Sequence, residues 1–158
     1  MISRSRRVYS YLKGKNAEDL FKEVMLDRGH EVKESNRKDN IERHIDFFVN
    51  NKGIDIKGNK TIDSIWLELK NVKGKDGWLK GEADFIVFYL VDLKAFSFYK
   101  RKDLLRFTNG IKLKTSNKND YLKIYTRRNR KDEIIRVKYT HIKYLEQQII
   151  YYEKSRKP

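Results

Sequence analysis

The chain has no cysteine, a single proline at its last position, and three histidines. Without thiols there is no disulfide framework, no thiolate metal site and no cysteine nucleophile. His30, His44 and His141 show no paired metal-ligand spacing. No Gly/Ser linker, internal repeat or low-complexity block interrupts the chain, so one domain over residues 1–158 is expected. Long hydrophobic runs are missing too. The longest, Phe85 to Val91, is seven residues, far below the ~20 of a membrane-spanning helix. Arg4, Arg6 and Arg7 are followed by Tyr, Ser and Lys rather than by an apolar signal core, so a cytoplasmic protein with no membrane partner is expected. A phosphate-cradling P-loop and a strand–turn–helix setting for a nucleophilic serine are both absent.

What is present is positive charge on a folding chain. Apolar residues make up 39% and aromatics 13%, enough for a core, while 37 Lys/Arg against 22 Asp/Glu leave a net charge of +15. An excess of that size points to a polyanionic partner, nucleic acid before anionic membrane, because phosphate neutralisation dominates nucleic-acid affinity. The positive charge is spread along the chain. Residues 1–15, with Lys13 and Lys15, read as a basic arm that orders on phosphate or as a frayed terminus. Lys70, just before a glycine-bearing loop over 71–81, surrounds Trp78 together with Lys73, Lys75 and Lys80 within it. Residues 112–130 carry seven Lys/Arg against one Asp. These lysines are candidate phosphate contacts, and Trp78 is either a core plug or a platform on which a base stacks.

Hydrophobic periodicity places helices and strands around this charge. Ala17, Leu20, Phe21 and Val24 make one helical stripe from an Asn16 cap to about Arg28, with Gly29 as its stop. A short strand is expected over 30–35, a polar loop over 36–40, a hairpin over 44–57 and a third strand over 65–70. A buried strand over 84–92, an edge strand over 95–100 and a short helix over 101–108 follow. Strands over 121–126 and 134–139 precede a closing helix from about His141 to Lys154, striped by Leu145, Ile149 and Tyr152. Helix, several strands and a helix predict an α/β or α+β fold with a mixed central sheet.

The hairpin carries the chemistry. Alternation puts Ile45, Phe47, Val49, Ile54 and Ile56 on one face, and His44, Asp46, Phe48, Asp55 and Lys57 on the other. If Asn50-Asn51 forms a two-residue turn, whose left-handed backbone asparagine tolerates, Asp46 lies opposite Asp55; a four-residue loop shifts the pairing by one step but keeps both on the same face. Carboxylates opposed across a ladder repel, and a hard divalent cation taking carboxylate and water oxygens relieves that repulsion. Lys57 shares their face, where it can orient or deprotonate a water or neutralise developing charge. The plainer reading is a solvated polar hairpin face, and for Glu18 a first-turn acid that favours the helix dipole.

The layout from about Gly14 to Leu105 resembles the PD-(D/E)XK nuclease superfamily, closest in arrangement to archaeal and viral Holliday junction resolvases. The stretches that carry the likeness are Ala17-Glu18, Gly29-His30-Glu31-Val32, Ser35, Asp46, Asp55-Ile56-Lys57 and Ala83 to Tyr89. The resemblance implies a restriction-endonuclease-like mixed sheet flanked by helices. It implies Mg²⁺, with Mn²⁺ able to substitute, held by Glu18, Asp46 and Asp55, and Lys57 assisting the attacking water. Ser35 would stand near the metal. The partner would be DNA, branched or structured, cut by a homodimer, because resolving a junction takes two symmetric cuts. Ile45 stands where the family's name-giving proline would be, and Asp55 replaces the commoner Glu. A rival triplet, Glu68-Leu69-Lys70, would line the same pocket if the third strand lay beside the second. A restriction-type nuclease of the same fold and a non-catalytic basic nucleic-acid-binding module are the alternatives.

Overall fold

A computed structural model describes residues 17–152. The basic arm, with Lys13 and Lys15, and the Asn16 cap lie outside the described residues. Helix α1 (Ala17–Asp27) buries Leu20, Phe21, Val24 and Met25, the stripe its periodicity predicts. Gly29 follows with φ +83, a backbone state glycine adopts without steric cost. Then come β1 (Val32–Glu34), α2 (Arg37–Glu42), β2 (Phe47–Val49) and β3 (Lys52–Lys60). Next are β4 (Ile65–Lys70), a 3₁₀ turn (Trp78–Lys80), β5 (Phe85–Leu90), β6 (Ala95–Lys100) and α3 (Arg101–Thr108). The chain continues through β7 (Lys114–Thr115), β8 (Ile124–Tyr125), β9 (Glu133–Val137) and α4 (Tyr139–Ile142), and reaches β10 (Glu146–Tyr151) by a second 3₁₀ turn (Lys143–Leu145).

The fold is mixed α+β. A six-stranded sheet in the order β1-β2-β3-β5-β6-β10 pairs β3 and β5 in parallel and its other neighbours antiparallel. A four-stranded sheet has the order β4-β9-β8-β7. Helix α1 covers one face of the larger sheet, packing Leu20 and Phe21 with Phe47, Ile54, Ile56, Val87 and Phe96. The opposite face, with Ile86, Phe88 and Tyr99, lies under Ile65 and Leu67 of β4, Ile135 and Val137 of β9, and Leu104 of α3. Both faces are therefore apolar, and Asp55, on the inner face of β3, is almost fully buried while Lys57 beside it stays partly exposed. No helix among the described residues is long and apolar enough to cross a membrane.

Several expectations are corrected. The closing helix from His141 stops at Ile142, and the chain becomes edge strand β10 on β6, with Ile150 opposite Phe96. Ile149, Ile150 and Tyr151 suit a strand as well as a helix. Their partner is the edge of β6, so residues 95–100 form an interior strand rather than an edge. Glu146 fixes the start of β10 by accepting hydrogen bonds from the hydroxyls of Tyr139 and Ser97. The polar loop over 36–40 is instead the start of α2, capped by Asn36, whose side chain accepts from the Asp39 N–H at 2.7 Å. The strand expected over 121–126 shrinks to two residues, β8, and the one over 134–139 ends at Val137 as Tyr139 opens α4. Strand β4 does not lie beside β3; it crosses into the smaller sheet, and β5 takes that place. Ile45 also changes face. The regular ladder starts only at Phe47 after His44 at φ +56, and Ile45 drops into the core of the opposite side.

Candidate functional site

Asn50 and Asn51, at φ +49 and +69, form a two-residue turn that pairs Val49 with Lys52. The same register pairs Phe47 with Ile54, so Asp46, one step on, comes opposite Asp55. Asn50 also ties the turn to β1, its Oδ1 accepting from the Glu31 N–H at 3.2 Å. Two donors hold the Asp46 carboxylate. The Ile56 N–H gives to Oδ2 at 2.7 Å, and the Asn40 amide to Oδ1 at 2.7 Å. Asp46 thus supplies the acceptor β3 needs where β2 has left the ladder.

Asp55 is 2% exposed, although its polar neighbours suggested a half-buried face. Its Oδ1 lies 3.3 Å from the Lys57 ammonium, and its Oδ2, fully buried, has no hydrogen-bond partner. Burial pushes its carboxyl up to about 8, Lys57 pulls against that rise, and the adjoining Asp46 carboxylate adds to it. Neutral, this carboxyl can share its proton with the Asp46 carboxylate; ionised, its buried oxygen is open to a cation. The Lys57 Nζ also lies 5.0 Å from the Trp78 ring centroid, a cation–π contact that fixes the ammonium beside Asp55.

Glu18, in the first turn of α1, joins from the other side of the strand pair. Burial raises its pKa most, Asp46 and Asp19 raise it further, and Lys57 lowers it. Helix and strand approach closely here because residue 58 is glycine: a Cβ there would stand 3.0 Å from that of Ala17. Glu18, Asp46, Ser35, Asn40 and Arg37 line a cleft of about 360 Å³. Ser35 reaches it by strand geometry, its N–H donating to the Asp46 carbonyl at 3.1 Å. Among the described residues no three His, Asp or Glu side chains are already gathered as a metal-ligand cluster. The close-set group is the Asp46–Asp55 pair with Lys57.

The rival triplet separates. Glu68 belongs to the smaller sheet, where its side chain packs on Gly77 and its Oε1 accepts from the Trp78 N–H at 3.4 Å. Lys70 is paired with Glu133 at 3.5 Å. Glu68 is therefore a clamp on the Trp78 turn. Trp78 is itself a core plug, 7% exposed and edge-on to Phe88, so the stacking-platform alternative is corrected by its burial. Lys73, Lys75 and Lys80 remain exposed at the surface of that loop. Sequence reasoning passed over Asn40 and Gly58; the only trace of Asn40 was its position six residues before Asp46. His44 stands half-buried within the field of Lys57, Glu68 and Asp46, its pKa lowered chiefly by burial. Set against known proteins, the chain matches no family model, no curated protein and no solved structure.

Proposed function

We propose that this chain is a Mg²⁺-dependent endodeoxyribonuclease of the PD-(D/E)XK kind, with a restriction-endonuclease-like sheet, acting on branched or structured DNA. The observation that carries the reading is the sealed Asp55 carboxyl, with one oxygen unpartnered, Asp46 across the ladder and Lys57 at 3.3 Å. A structural acid in that setting would be costly, since its burial and its neighbour both oppose ionisation. A divalent ion reverses both penalties. Mg²⁺ is commonly held by one or two carboxylates, with waters and substrate phosphates completing its shell, so the Asp46–Asp55 pair suffices and Glu18 adds a ligand directly or through water. When bound, the ion supplies an activated water and charge neutralisation at the phosphate.

The chain's own groups do the rest. Asp46 is pre-oriented by Asn40 and the Ile56 N–H, so it presents lone pairs without reorganisation. Lys57, held beside Asp55 and the Trp78 ring, would face the developing negative charge on the phosphate. Exposed lysines, Lys73, Lys75 and Lys80 among them, add phosphate contacts that position the strand without reading sequence. Junction cutting would call for a homodimer that supplies two such sites.

Supercoiled plasmid, a synthetic four-way junction and a matched linear duplex, each with Mg²⁺, Mn²⁺ or EDTA, test this. The expected result is metal-dependent cutting, fastest on the junction, and loss of cutting but not of binding in Asp55→Asn and Lys57→Ala. Equal cutting by the wild type and Asp55→Asn removes Asp55 from the chemistry. Binding without hydrolysis by a folded wild type makes the chain a binding module, and defined cuts in linear duplex favour a restriction-type enzyme.

A further inference from the structure

A second cavity opens at the hairpin end of the larger sheet, with a volume of about 490 Å³. Its charged lining is Lys52, Lys100, Arg101 and Lys102 against Glu82 and Asp84. Sheet register gathers them, because Phe85, the first residue of β5, pairs with Ile54 of β3 on one side and with Lys100 of β6 on the other. The two acids are already engaged. Asp84 Oδ2 accepts from the Gly53 N–H at 2.8 Å, and Glu82 pairs with Arg43 at 3.4 Å. Arg101 is part of the wall, its guanidinium donating to the carbonyls of Ala83 at 2.8 Å and Leu79 at 2.9 Å. Lys52, Lys100 and Lys102 are exposed, and among the described residues none of the three has an acid partner. Helix α3 starts at the same place, and its N-cap, Lys100, offers no capping acceptor. The first turn also carries Asp103, which pairs with Arg106 at 3.3 Å, so the three ammonium groups rather than the helix end dominate the lining charge.

We propose that this cavity is a phosphate subsite, where Lys52, Lys100 and Lys102 hold a phosphate of the bound nucleic acid away from the bond that is cut. Asp55 follows Lys52 by three residues on one strand, which puts the two sites on the order of 10 Å apart. That spacing is along the backbone, and the two side chains alternate to opposite faces of the strand, so the cavity is reached by a nucleic acid that wraps the hairpin end of the sheet. The identity of the ligand rests on the nuclease reading; the cavity's preference for an anion rests on its own lining.

The test is full-length protein in EDTA, where nothing is cut, with fluorescence anisotropy of a labelled duplex over a salt series. The variants are a Lys52→Ala/Lys100→Ala/Lys102→Ala triple and its Lys→Arg counterpart. The alanine triple should bind about tenfold or more weakly at low salt, with the slope of log K against log salt reduced by about one or more. The arginine triple should restore both. Duplexes with 5′-hydroxyl and 5′-phosphate ends separate the two sources: a loss on both assigns the cavity to the backbone diester, and a loss confined to 5′-phosphorylated DNA assigns it to a terminal phosphate. An alanine triple that melts like the wild type and keeps its affinity and slope overturns the proposal. So does a failure of the arginine triple to restore binding. Because the readout is metal-free binding, the proposal and the nuclease reading can fail separately: an uncut substrate leaves this result standing, and an unaltered slope leaves cleavage standing.

Discussion

Asp55→Asn keeps the size of the side chain and removes a carboxyl that the fold disfavours in its charged form. The group rises from an ordinary 3.8 to about 8 on folding, by burial first, with Lys57 opposing and Asp46 reinforcing the shift. The sign follows from which state holds the proton more tightly. The folded chain does, so this group's stabilising contribution is complete below about pH 4 and is lost as pH rises toward about 8. Between pH 5 and pH 8 the metal-free wild type should lose about 3–4 kcal/mol more than Asp55→Asn, the slope of nearly 1.4 kcal/mol per pH unit flattening as pH nears 8. For a chain of this length that is on the order of 10 °C in Tm. The asparagine amide can donate to the Asp46 carboxylate, so the variant leaves no donor stranded. Urea titrations of both proteins in EDTA at several pH values read the difference directly. Parallel stability curves would mean that Asp55 ionises freely inside the fold, and the reasoning that makes it a cation acceptor would fail.

Asp46→Ala strands the buried Ile56 N–H, while the exposed Asn40 amide returns to water, and should cost about 1–3 kcal/mol; Asp46→Asn should recover most of that in urea melts without recovering cleavage. Gly58→Val places side-chain atoms against Ala17, where even a Cβ stands at 3.0 Å. A loss of about 1–3 kcal/mol is expected from overpacking, with a larger proportional loss of plasmid nicking because Glu18 moves with α1. Glu68→Gln should retain cleavage within a few-fold, since Glu68 clamps the Trp78 turn; abolished cleavage with an unchanged melt would promote the Glu68-Leu69-Lys70 triplet.

Much of the site was legible because the hairpin is specified locally. Asn50-Asn51 fixes a two-residue turn, and a period of two then decides what opposes what, so Asp46 and Asp55 could be paired before any fold was known. The depth of Asp55 was not legible. It arises from β4, which leaves β3 for a second sheet, and from β9, remote in sequence, closing over a face that reads as half-polar within the hairpin alone. Strand β10 was misread because Leu145, Ile149 and Tyr152 satisfy a helical spacing, while what decides the outcome is an open edge on β6 and the Glu146 acceptor for Ser97 and Tyr139. The α2 turn escaped for the opposite reason: it has no buried residue, and only the Asn36 cap marks it. Trp78 was ambiguous in a lysine-rich loop and became a core plug once Phe88 and Lys57 had closed around it.

Calorimetric titration of Mg²⁺ into the metal-free protein at pH 7, repeated in two buffers of different ionisation enthalpy, tests the carboxylate pair most directly. Binding to the wild type should release close to one proton per ion, because Asp55 must ionise to coordinate, and Asp55→Asn should lose the heat and the proton together. Mg²⁺ binding of equal strength in the two proteins, or binding with no proton released, would contradict a metal site at Asp46 and Asp55.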